Sequence, residues 1–210
     1  MTWLPHGPPT PTGQHVGFIE SGLDTVLSTL VNWRSGLGQR PAVRRPVAGF
    51  PECVPLLEPP AGIWTRELLI DMGPWTAYLN NSIQGGDPFP AVGVLTERLD
   101  CRGVLATHAP MREPGHAATA FELLGPEGPP PLHYIRTVGA YAADGRWSWD
   151  ESGTPLPFED LARYTRRLIR ERLTRDLLVR YLGELGIDVS GSAYGEAALV
   201  TQRPWRWWRR

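Results

Sequence analysis

Residues 132–150 read Leu-His-Tyr-Ile-Arg-Thr-Val-Gly-Ala-Tyr-Ala-Ala-Asp-Gly-Arg-Trp-Ser-Trp-Asp. The Asp144-Gly145 pair accepts the positive backbone angles of a tight hairpin turn, so the runs on either side, Leu132 to Tyr141 and Arg146 to Asp150, predict two antiparallel strands. Upstream, Gly103 to Ala109 and Ala117 to Leu124 are two more strand candidates with short connections. Consecutive strands joined this way favour an antiparallel meander over a parallel, doubly wound sheet.

Moving towards the N-terminus, the period stays at two. Trp64, Leu68, Ile70 and Met72 share one face, with Thr65, Glu67 and Asp71 on the other. Gly73-Pro74 turns this strand into a second one carrying Trp75, Ala77 and Leu79. His15 to Ile19 is a further short strand candidate.

Helical spacing occupies the remaining segments. Leu23, Val26, Leu27, Leu30 and Val31 predict a first helix, capped at Ser21 with Asp24 in its first turn and stopped by Gly36-Leu37-Gly38. A proline-punctuated, extended connection follows as far as Pro60. Val92, Leu95 and Leu99 predict a short helix from about Pro90. Pro157-Phe158-Glu159-Asp160 opens another, with Leu161, Tyr164, Thr165 and Leu168 on one side and Arg163, Arg166, Arg167 and Arg170 on the other. Leu177, Leu178, Tyr181, Leu182 and Leu185 continue on the arginine side of that wheel, which one straight helix cannot reconcile with a single core. A break is therefore expected near Leu173-Thr174, with Thr174 capping a second helix that ends at Gly186 and Ile187 folding back on Leu182.

The expected class is α+β: an antiparallel meander of about six strands, flanked by an N-terminal helix, a short middle helix and two C-terminal helices. Residues 1–14 are expected to form a loosely packed arm, 15–202 a single domain and 203–210 a basic tail. The chain has 210 residues, 41% of them hydrophobic, which suffices for a core of ordinary size.

All 21 basic side chains are arginine. Without lysine there is no Walker-type phosphate loop, no Schiff-base chemistry and no lysine general base. Cys53 and Cys101 stand apart from any CxxC or CxxH spacing, so no disulfide framework, metal site or cofactor is expected and a reducing, cytoplasmic setting is the default. The first 19 residues carry no charged side chain but four prolines, unlike an export signal, and no stretch is long and apolar enough to span a membrane. The arginine-only, alanine- and proline-rich composition is what a high-GC bacterial genome tends to produce.

The net charge of −1 conceals a split: residues 1–157 carry ten arginines against fifteen acids, residues 158–210 eleven against seven. The candidate partner-binding groups are Arg163, Arg166, Arg167 and Arg170, together with Trp205, Arg206, Trp207, Trp208 and Arg209 of the tail. Interleaved arginine and tryptophan suit base stacking with phosphate neutralisation, whereas a solvated helix face accounts for the stripe as well.

Two pocket readings remain. The loop from Asn80 to Asp87, rich in hydrogen-bonding side chains and glycine, places a ligand pocket beside Trp75, Tyr78, Asn81, Asp87 and Arg136; its plain alternative is a turn in which Asp87 caps the next segment. Trp147 and Trp149, with Asp150, Glu151, Trp64 and Trp75, suggest an aromatic cleft with two carboxylates, against which stands cross-strand aromatic packing. The expected function is non-enzymatic binding of another protein, as in bacterial immunity, antitoxin or accessory factors. A small hydrolase working from the carboxylate cleft and a nucleic-acid binder using the arginines are the alternatives.

Overall fold

A computed structural model describes residues 14–61, 65–82, 87–112, 115–189 and 195–202. Nine strands form one antiparallel sheet: β1 (His15–Ile19), β2 (Pro41–Val47), β3 (Arg66–Met72), β4 (Trp75–Asn80), β5 (Gly103–Arg112), β6 (His116–Leu124), β7 (Tyr134–Ala143), β8 (Arg146–Gly153) and β9 (Ala197–Gln202). Their order across the sheet is β2-β9-β3-β4-β1-β5-β6-β7-β8. Four helices accompany them: α1 (Leu23–Gly36), α2 (Phe89–Leu99), α3 (Leu161–Tyr164) and α4 (Arg175–Glu184). The α+β class is as expected, with nine strands where about six were anticipated.

The hairpin at 143–145 forms as its residues require. Asp144 and Gly145 both have positive φ, 51° and 74°, and β7 pairs with β8 from Ala143↔Arg146 to Arg136↔Gly153. β5 to β8 make the expected meander, while β1 sits between β4 and β5, and β9 inserts between β2 and β3. β2 lies within the stretch expected to be a plain connection, and β9 follows the last expected helix.

Each face of the sheet carries its own core. On one face Ile19, Leu69, Tyr78, Leu105 and Val200 pack against Val26 and Leu30 of α1 and Val92 and Leu95 of α2. On the other, Phe18, Leu68, Trp75, Phe121 and Val138 meet Tyr164, Leu173, Leu177, Leu178 and Tyr181 from the C-terminal segment.

α1 starts from Gly22, which makes no side-chain cap, so the expected Ser21 cap is not formed; Asp24 lies in the first turn. The stretch after Asp160 departs furthest from expectation. Helix α3 is a single turn, followed by a 3-10 turn at Ile169–Glu171, so Arg163, Arg166, Arg167 and Arg170 form no helical stripe. Tyr164 and Leu173 are both drawn into the core, yet nine residues of straight helix would set them on opposite sides, so the chain breaks between them and leaves Leu168 exposed. The first helix thus breaks after Tyr164, well before the expected Leu173-Thr174, whereas the second begins and ends as expected: Thr174 caps α4, its Oγ1 accepting from the Leu177 N–H, and Gly186 has φ 79° while Ile187 N–H donates to Leu182 O at 2.9 Å.

The seat of α2 depends on two glycines. A Cβ at Gly17 would stand 2.4 Å from Val92 Cγ2, and one at Gly103 would stand 2.5 Å from Thr96 Cγ2, so the helix rests directly on the backbone of β1 and β5. No helix among the described residues is long and apolar enough to cross a membrane.

Candidate binding groove

Asp87 starts α2 by accepting the Phe89 N–H at Oδ1, 2.9 Å, and Asp100 ends it in a left-handed conformation (φ 49°). With Val92 and Leu95 turned into the sheet, the opposite side of the helix, including Pro90, Gly93, Val94 and Glu97, faces outwards. Beside it rises the β6–β7 connection, residues 125–133, braced internally by Gly125 N–H to His133 O and His133 N–H to Pro129 O, both 3.0 Å. Its Pro126, Pro131 and Leu132 form one wall; Trp33 of α1 contributes to the other side. Together these enclose a groove of about 540 Å³.

The groove is apolar with an acidic margin. Leu132 lies 51% exposed along it. Among the described residues Glu97, Asp100 and His133 are the titratable groups that line it, and no arginine does. Phe89 stacks on Tyr134 of β7 at 5.6 Å with the rings 13° apart, closing the side towards β6 and β7.

Beyond that stack the sheet face continues as a polar surface. Strand register places Glu122 opposite Leu105 and Thr137, and Gly139 opposite Asp150, so Glu122, Tyr141 and Asp150 share the face on which α2 sits. Burial pushes the Glu122 carboxyl above the usual carboxylate range; the hydrogen bond from Tyr134 acts the other way, and Asp87 and Asp150 push it further up. Burial likewise raises the Tyr141 hydroxyl to about 12.

The expected pocket beside the 80–87 loop is not assembled. Trp75 and Arg136 are buried on the C-terminal side of the sheet and Tyr78 on the helical side. Trp75 Nε1 donates to Leu185 O at 3.1 Å, and the Tyr78 hydroxyl donates to Glu67 at 2.8 Å. Asn81 is a structural bracket: its Oδ1 accepts from the backbone of Thr65 and Arg66, and its Nδ2 donates to Pro59 O. Asp87 stands apart from the other four at the start of α2, in the turn role its position before Pro88 allowed, its Oδ1 accepting the Phe89 N–H. Residues 83–86 lie outside the described set.

The aromatic cleft is not formed either. Trp75 on β4 is separated from Trp147 and Trp149 on β8 by four strands, and Trp64 is outside the described residues. Asp150 and Glu151 point to opposite faces, Glu151 bonding Arg136 at 2.9 Å. Arg166, Arg167 and Arg170 are exposed and Arg163 reaches Asp160 at 3.4 Å. Trp205, Arg206, Trp207, Trp208 and Arg209 fall outside the described residues.

Two buried ionic clusters escaped sequence reading. Glu67, fully buried, receives Arg34 (2.5 Å), Tyr78 (2.8 Å) and Gln202 (3.0 Å). Glu159 receives Arg136 through Nε and Nη2, the Leu156 N–H and the Tyr164 hydroxyl, all at 2.8–2.9 Å. The Tyr164 oxygen lies 2.9 Å from that of Tyr181, which accepts the Asp160 N–H. Every oxygen of these carboxylates is engaged from within the fold, so both clusters act as bolts between elements and leave no lone pair for a substrate. Among the described residues no three His, Cys, Asp or Glu side chains converge to hold a metal.

Compared with known proteins, the chain matches no protein-family model, no curated protein and no solved structure. The functional reading therefore rests on the groove and its chemistry alone.

Proposed function

We propose that the protein works by binding another protein, in the manner of an immunity, antitoxin or accessory factor, and that the groove beside α2 receives a partner segment combining apolar and basic side chains. One observation carries this reading: an apolar groove of about 540 Å³, bordered by Glu97 and Asp100 and lined by no arginine among the described residues. Apolar walls supply affinity through burial, and carboxylates at the margin select cationic neighbours. The braced 125–133 connection holds the groove open, which reduces the ordering cost of binding.

The test is selection from a displayed random peptide library on the intact protein. Enriched peptides are expected to place an aromatic or aliphatic residue next to arginine or lysine. Replacing Gly93, whose Cβ would meet only the Phe89 ring at 3.9 Å, by tryptophan fills the groove without disturbing the sheet side of α2. Gly93→Trp is expected to lose the selected peptides. Peptides that bind Gly93→Trp as well as the native protein, or a selection that enriches acidic sequences, count against the reading.

A further inference from the structure

The two edges of the sheet are built differently. At one edge β2 carries Pro41 and Pro46, which have no N–H to donate, a register irregularity between Arg44 and Val47, and adjacent arginines that would oppose their own kind in a self-pair. At the other edge β8 runs for eight residues without proline and, among the described residues, pairs on one side only, with β7. Arg146, Ser148, Asp150, Glu151 and Ser152 are exposed and Trp147 and Trp149 half-buried. An unblocked edge of this length presents a row of unpaired backbone groups.

The side chains of β8 state what would pair with it. Arg146-Trp147-Ser148-Trp149-Asp150 is self-complementary about Ser148 when the strand meets a reversed copy of itself. Ser148 then faces Ser148, each Trp147 faces the other copy's Trp149, and each Arg146 faces the other copy's Asp150. Residues directly opposite in an antiparallel pair point to the same face, so the tryptophans meet on the C-terminal side and the charges on the α2 side. Trp149 is already held there by the Tyr164 ring at 4.8 Å and the Arg172 guanidinium at 5.8 Å, a fixed wall against which a second copy's Trp147 can pack. A shift by two residues would set Trp147 against Glu151 and Arg146 against Ser152, leaving one tryptophan pair, Trp149 on Trp149, in place of two and losing both charge pairs.

We propose that β8 is a homodimerisation edge, pairing antiparallel with β8 of a second copy about a two-fold axis at Ser148 and continuing the sheet through both molecules. A contact through one strand is small, so association is expected to be concentration-dependent and not obligate. The groove lies on another part of the molecule, and its occupancy does not bear on this pairing.

Sedimentation of the intact protein over a range of concentrations tests it. Arg146→Asp sets like charges opposite each other twice and is expected to weaken self-association about tenfold, while Arg146→Asp combined with Asp150→Arg restores it. Both positions are exposed, and circular dichroism checks that the variants remain folded. In parallel, Ser148→Cys is expected to cross-link the dimer on mild oxidation, the opposed Cα atoms lying about 5 Å apart. Ser152→Cys, whose two copies would stand about 26 Å apart along the ladder, is not. A monomer at every concentration, which leaves the edge to a strand of another protein, overturns the proposal. So does a dimer indifferent to Arg146→Asp, or equal cross-linking at 148 and 152.

Discussion

Arg136 shows how a single residue can be misplaced by pattern reading. It stands in phase with Val138 and Ala140 on the core side of β7, and an arginine in that phase needs a buried acid. That acid, Glu159, is 23 residues away and belongs to a segment expected to open a helix with its acids in the first turn, so the pairing was not legible from spacing. Arg136 is 2% exposed and Glu159 has no exposed side-chain surface. Arg136→Met leaves Glu159 charged and poorly partnered, and is expected to cost about 3–5 kcal/mol in denaturant unfolding. Glu122 gives a pH signature instead. Its folded-state pKa is raised, so between the ordinary carboxyl range and that raised value the folded protein holds more protons than the unfolded chain, and stability falls as pH rises. Glu122→Gln is expected to match the native melting temperature near ~pH 4 and to exceed it increasingly towards neutrality. A constant difference across that range would show that Glu122 does not hold its proton.

Among the elements, β3 and β4 were legible from alternation, though both prove buried on both faces, and the β5–β8 meander from its strand runs, short connections and Asp144-Gly145 turn. The Thr174 cap follows from an amphipathic stripe that could not continue. β2 and β9 were missed for opposite reasons. β2, Pro-Ala-Val-Arg-Arg-Pro-Val, has neither alternation nor a proline-free run, whereas β9, Ala-Ala-Leu-Val-Thr-Gln, is a short apolar run buried on both faces that could equally read as helix. The groove was unreadable because its parts come from α1, α2 and a loop that only the strand order brings together. Its floor depends on how closely α2 approaches the sheet. Gly103→Ala would place a methyl 2.5 Å from Thr96 and 2.8 Å from Val92, and is expected to cost about 1–3 kcal/mol while weakening capture of selected peptides. Gly183→Ala in α4, where nothing lies within 4 Å, is the control and is expected to stabilise by about 0.5–1 kcal/mol.

At the level of the whole molecule, the charge split takes a sharper form. Residues 158–202 contain seven arginines and seven acids, so the basic excess of the C-terminal quarter resides in residues 203–210. The arginines in and after α3 are thereby balanced in their own segment, with Arg163 on Asp160 and Arg166 3.7 Å from Glu171. Acidic groups dominate around α2 instead, with Asp87, Glu97, Asp100, Glu122 and Asp150 surrounding the groove and the adjoining sheet face. The proposed recognition of a basic, apolar segment is therefore assigned to α2. The most direct test follows backbone amide NMR shifts of the intact protein while N-acetyl-Arg-Trp-Arg amide is added. The account predicts shifts concentrated in residues 89–100 and 125–133, abolished by Gly93→Trp. Shifts centred on residues 163–170, or none in the groove at saturating peptide, would contradict it.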